Sequence, residues 1–297
     1  MRISNERISL EVSETGAEPV SLLKDGKEYL WQADPAFWKR SAPILFPIVG
    51  TVFGGVYRLA GKNYNLGQHG FARDCRFDVL ECAGGKMSLL LRDSDETLRL
   101  FPFHFELQAD YFLQESEVRV VWTVRNTGSP LEDGSMYFQI GAHPGFNYPD
   151  FNASDDVHSY LEFYDSQGKR IAPVIYSGLR DGGLDDMPAR RMCDDSGRLP
   201  LYGNLFNSDA LVFEKGQVAR TLMLDKNGKP YLSVSSDCAQ VLGIWSPVRR
   251  NAPFVCIEPW MGEADRKGFT GDFQQKAYIQ HLAPDSQMTF EYSIFVY

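Results

Sequence analysis

Apolar and polar residues alternate along most of this chain with a period of two. Between Phe103 and Leu113 the positions Phe103, Phe105, Leu107, Ala109, Tyr111 and Leu113 are apolar, while His104, Glu106, Gln108 and Asp110 are polar. That is the signature of a half-buried strand. After the polar turn Gln114-Glu115-Ser116, Val118, Val120, Trp122 and Val124 face one way and Arg119, Thr123 and Arg125 the other. Together the two runs predict a long antiparallel hairpin.

The same signal recurs at Ile8 to Val12, at Val56 to Arg58 and Tyr64 to Leu66 around the turn Ala60-Gly61-Lys62-Asn63, at Phe77 to Cys82 and at Met87 to Leu91. Further strands are expected at Ala210 to Phe213, Thr221 to Leu224, Tyr231 to Val234, Val241 to Trp245, Phe254 to Glu258 and Met288 to Val296. Helical patterns are short, at Asp34 to Arg40 and near Phe273 to Tyr278. Many short strands with closely spaced turns point to an all-β sandwich or barrel. Two stretches, Pro144 to His158 and Ser177 to Pro200, read as long loops. With no repeat, linker or low-complexity tract, residues 1–297 are expected to form one continuous domain.

Composition narrows the function. A hydrophobic content of 43% with 23% charged residues supports a sizeable core. A net charge of −9 with no basic stripe argues against a nucleic-acid partner. The N-terminus lacks the apolar core of a signal peptide, and no apolar run is long enough to span a bilayer, so a cytoplasmic protein without membrane partners is expected. The five cysteines (75, 82, 193, 238 and 256) contain no C-x-x-C pair and read as reduced thiols. The acidic pairs of the two loops fit no calcium-loop spacing and read as solvated charge. Phosphate loops, G-x-S-x-G elbows and H-E-x-x-H helices are all absent from the sequence.

Three stretches have another character. Gly141-Ala142-His143-Pro144-Gly145-Phe146-Asn147 puts a histidine between glycines where a strand-like run ends. His69 sits beside Gly70, and glycine permits close backbone approach to a ligand. Glu258 lies among Val255, Cys256, Ile257, Pro259 and Trp260. A carboxylate in such apolar surroundings is either paired with an arginine or tuned for proton transfer. His104, His158 and His281 read as surface residues.

His-Gly-Phe-Ala-Arg at 69–73, Gly-Ala-His-Pro-Gly-Phe-Asn at 141–147 and Ile-Glu-Pro-Trp at 257–260, in this order, resemble the aldose 1-epimerase (galactose mutarotase) family. The runs from Ala42 to Gly50 and from Leu242 to Trp245 are similar to the branch encoded in bacterial lactose operons. The resemblance implies a large antiparallel β-sandwich of the galactose mutarotase type. It implies an isomerase that interconverts the α and β anomers of a hexose or hexose phosphate without metal or cofactor. His143 would be the general acid at the ring oxygen, Glu258 the general base at the anomeric hydroxyl, and His69 an assisting donor. Asp209 would grip sugar hydroxyls. Arg40, in preference to Lys39, would bind substrate. Arg73 would meet a phosphate, or else pair with Asp74. Phe71 and Trp260 would face the sugar ring or pack in the core. A carbohydrate-binding or sensor protein on the same fold is the alternative.

Overall fold

A computed structural model describes residues 1–297. Strands dominate it, and two antiparallel sheets of ten and six strands provide the framework. The hairpin expected from the alternation is its longest element: His104–Gln114 pairs with Glu117–Gly128, and these strands sit inside the ten-stranded sheet. Ala109 lies opposite Trp122 and Tyr111 opposite Val120, so the apolar sets of both strands share one face. All four side chains are fully buried, while His104, Arg119 and Arg125 face solvent. A one-residue slip would turn that whole set outward, so the pattern fixes the register.

The six-stranded sheet runs in the order Leu211–Phe213, Val241–Trp245, Phe254–Met261, Ile140–Ala142, Ile44–Leu45, with Gly145–Asn147 also paired to Phe254–Met261. It packs on the larger sheet through aromatic contacts such as Phe163 with Phe213, whose ring centroids are 5.3 Å apart. The architecture is an all-β antiparallel sandwich. Phe254–Met261 is buried along its whole length. Val255, Ile257 and Met261 enter the main core, and the alternate residues Phe254, Cys256, Glu258 and Trp260 point to the opposite face. A strand covered on both sides reads as one apolar run, which is why Glu258 stands out in it.

Three expectations change. The α-helix is at Asp95–Leu100, capped by Ser94 and Thr97 in a reciprocal box, and neither expected helical stretch forms one. Asp34 to Trp38 makes only a hydrogen-bonded turn, and near Phe273 there is a single 3₁₀ turn, Phe273–Gln275. Much of the stretch 177–200 is not loop. Val174–Arg180 and Gly183–Arg191 form a hairpin whose two-residue turn, Asp181-Gly182, has φ of 51° and 80°. Asp-Gly is a strong signal for such a turn, but the exposed charges of the second strand mask the alternation. His158 is not a surface residue: it is 2% exposed, packs against Tyr148 and Phe151, and bonds through Nε2 to Asn251 Oδ1 at 2.6 Å. No helix is long and apolar enough to cross a membrane.

Candidate functional site

The outward face of the six-stranded sheet forms the floor of a cavity of about 510 Å³. That is within the range of small-molecule sites, about 300–1,000 Å³. His69, Arg73, His143, Asp209, Glu258 and Trp260 all line it, although they span nearly 200 positions of sequence. Trp38, Trp245 and the hairpin tip from Leu179 to Leu184 complete the walls. The tip is held over the cavity by Thr51 Oγ1 donating to Gly182 O at 2.9 Å and Leu184 N donating to Asp265 O at 2.8 Å.

His143 occupies the short link between Ile140–Ala142 and Gly145–Asn147, both paired to Phe254–Met261. Gly141 lies opposite Trp260 and Gly145 opposite Cys256, so the link crosses directly above Glu258. His143 Nε2 is 3.3 Å from Glu258 Oε2. The imidazole is stacked on Trp38, with centroids 4.8 Å apart, and touched edge-on by Trp245 and His69 at 5.5 Å each. Three rings thus fix its orientation.

Trp260 needs room that only glycine leaves. A Cβ at Gly141 would lie 2.5 Å from its ring, and one at Gly243 would lie 2.4 Å away on the other side. The indole lies across both neighbouring strands, and its Nε1 donates to Ala142 O at 3.1 Å, tying the His143 link to the sheet.

His69 is held differently. Its N–H donates to Gly50 O at 2.7 Å, and Gly50 N–H donates to its Nδ1 at 3.0 Å. The ring proton therefore resides on Nε2, available as a donor. The residue is left-handed, φ 63°, and is followed by Gly70, where a Cβ would stand 2.2 Å from Phe46 O.

Burial governs the electrostatics. Glu258 is 1% exposed, and burial, reinforced by the nearby Asp209 charge, holds its carboxyl well above the usual carboxylate range. Burial pushes His143 down to about 3, with Arg73 and Arg40 adding to the effect. His69 is depressed by burial and by His143. Both shifts favour the neutral pair, carboxyl beside neutral imidazole, over the ion pair, because separated charges are poorly solvated there. Neither Glu258 Oε2 nor His143 Nδ1 has a hydrogen-bond partner. Of the two readings the sequence left open for Glu258, an arginine partner is ruled out: its one ion-pair contact is His143.

The remaining residues separate. Arg73 reaches the cavity with Nη2 bonded to Gln68 O at 2.7 Å and Nε without a partner. Asp74 is 3.9 Å from that Nε. Arg40 does not line the cavity; it turns to Asp74 Oδ1 at 2.7 Å and to Arg73 O at 3.4 Å. Phe71 is in the main core, against Phe46, Phe101 and Phe105, and offers no face to a ligand there. Asp209 sits at φ 78° just before Leu211–Phe213, its Oδ1 accepting from Ala210 N at 2.8 Å. The sequence reading passed over Trp38 and the hairpin tip. The Asp181-Gly182 turn was a usable signal for the tip; nothing local distinguishes Trp38.

Known proteins share both the sequence and the fold of this chain. Residues 1–169 match the family model described as aldose 1-epimerase. The chain is 31% identical to the plasmid-encoded Protein LacX of Lactococcus lactis subsp. lactis over 270 residues, 88% of this chain and 87% of that protein. Among solved structures, a galactose mutarotase related enzyme from Lactobacillus acidophilus superposes with a TM-score of 0.90 at 32% identity, covering 100% of this chain and 97% of the other. A galactose mutarotase-like protein from Lactobacillus casei gives 0.88 at 30%, covering 100% and 99%. Sequence and fold place this chain in the aldose 1-epimerase family.

Proposed function

We propose that this protein interconverts the α and β anomers of a hexose, free or phosphorylated, by acid–base ring opening and reclosure. The observation that carries the reading is the 3.3 Å contact between His143 and Glu258 at the floor of a walled cavity. Anomerisation needs a proton delivered to the ring oxygen and another removed from the anomeric hydroxyl. A pair sharing one proton supplies both and ends each half-reaction ready for the reverse.

The resting proton on Glu258 crosses the 3.3 Å contact to His143 when sugar hydroxyls donate to the carboxylate. His143 then protonates the ring oxygen as Glu258 accepts the anomeric proton. The aldehyde rotates about C1–C2 and closes with the roles reversed. His69 Nε2–H donates to the same oxygens, Asp209 accepts from sugar hydroxyls, and the Arg73 guanidinium donates to a hydroxyl or phosphate oxygen. Trp38, Trp245 and Trp260 offer apolar surface to the ring's C–H faces.

The test is anomeric exchange by NMR on a panel of hexoses and hexose 6-phosphates, against the spontaneous rate. Wild type should accelerate at least one sugar, and Glu258→Gln and His143→Ala should each lose about 10²–10⁴-fold. Saturable binding without acceleration, unchanged by Glu258→Gln, would instead identify a sugar-binding protein.

A further inference from the structure

Cys256 has no place in acid–base chemistry, yet its position two residues before Glu258 puts both side chains on the cavity face of Phe254–Met261. Gly145, opposite Cys256, begins the strand leading away from His143. As a result a ring nitrogen of His143, the Sγ of Cys256 and a carboxylate oxygen of Glu258 all lie within 4.8 Å of one another, and all three residues are buried. His143 Nδ1 and Glu258 Oε2 are buried without partners, and the Cys256 thiol is free. Buried polar atoms without partners are uncommon in a folded protein.

We propose that His143, Cys256 and Glu258 form a binding site for a single zinc-class divalent cation, whose occupation blocks the acid–base pair. Imidazole, thiolate and carboxylate are the donors zinc takes, and three protein ligands leave the fourth position to water from the cavity. Zinc–ligand bonds of about 2.0–2.3 Å at tetrahedral angles require donors roughly 3.3–3.8 Å apart. The trio is within about 1 Å of that spacing, a movement that side-chain rotation supplies. Binding takes Cys256 as thiolate and Glu258 as carboxylate, so it releases protons. His143 and Glu258 line the cavity through which the ion would enter, and Cys256 is buried beside them.

The blocking half rests on the proposed function; the binding half does not. The experiment titrates the folded protein with Co²⁺, followed by absorbance, then displaces it with Zn²⁺. A Cys82→Ser background removes the exposed thiol. Wild type should give a sulfur-to-cobalt charge-transfer band saturating at one ion per chain. Cys256→Ala and Cys256→Ser should each lose the band and weaken Zn²⁺ binding, measured against a chromogenic chelator, at least about tenfold. No band in folded wild type, or a band that survives in both Cys256 variants, overturns the site. Zn²⁺ should also suppress anomeric exchange in step with occupancy, and full occupancy with undiminished exchange overturns the block. A saturating band in a protein that accelerates no sugar would leave the site standing and the anomerisation reading refuted.

Discussion

Glu258→Gln should stabilise the fold increasingly as pH rises while abolishing turnover. The carboxyl is 1% exposed, lacks a partner on Oε2 and faces Asp209, so the folded state keeps its proton above the usual carboxylate range. Unfolding frees it to ionise in water at about pH 4.3. Between those two values the native state binds more protons than the unfolded state, so wild-type stability falls as pH rises. The slope from one such group is at most about 1.4 kcal/mol per pH unit. Glutamine has the same shape and no titration, so the difference between the two proteins should grow by up to about 4 kcal/mol from pH 5 to pH 8.

The glutamine amide brings its own unpartnered donors, which adds an offset independent of pH; the slope is therefore the diagnostic quantity. His143 is depressed chiefly by burial, and it contributes alike to both proteins. Urea denaturation of both at pH 5, 6, 7 and 8 measures the difference directly. Parallel stability curves across that range would refute the argument, since they would mean that Glu258 ionises as readily folded as unfolded.

Other outcomes follow from the same geometry. The rate of anomeric exchange should hold across neutral pH and fall on the alkaline side as the pair loses its single shared proton; a rate that keeps rising through pH 10 would contradict the shared-proton reading. Gly243→Ala drives a methyl to within 2.4 Å of the Trp260 ring and should cost about 1–3 kcal/mol by urea denaturation, with a raised KM for any sugar turned over. Phe71→Ala should cost about 3–5 kcal/mol in the same assay and leave KM unchanged, because the ring packs against Phe46 and Phe105 and not on the cavity. Arg73→Met should weaken a hexose phosphate far more than the free hexose if its guanidinium meets phosphate, and both alike if it meets a ring hydroxyl.

The strands were legible because each buried face repeats every second residue. The long hairpin, the Val241–Trp245 strand and the C-terminal strand lie within three residues of where alternation predicts them. The 174–191 hairpin was hidden because its second strand is largely solvated, so burial imposed no alternation on it. His158 misled because its neighbours in sequence are acidic while its neighbours in space are aromatic.

By itself, the sequence determined the fold class and marked His69, His143 and Glu258, since glycine beside a histidine and a carboxylate in an apolar strand are local facts. Tertiary structure alone decided which residues share the cavity. It put Arg73 there and turned Arg40 to Asp74, buried Phe71, brought in Trp38, and set Cys256 beside the pair. The reason is physical: alternation records which face of a strand is buried, whereas the meeting of distant side chains depends on strand order and register, which pairing across the whole sheet fixes.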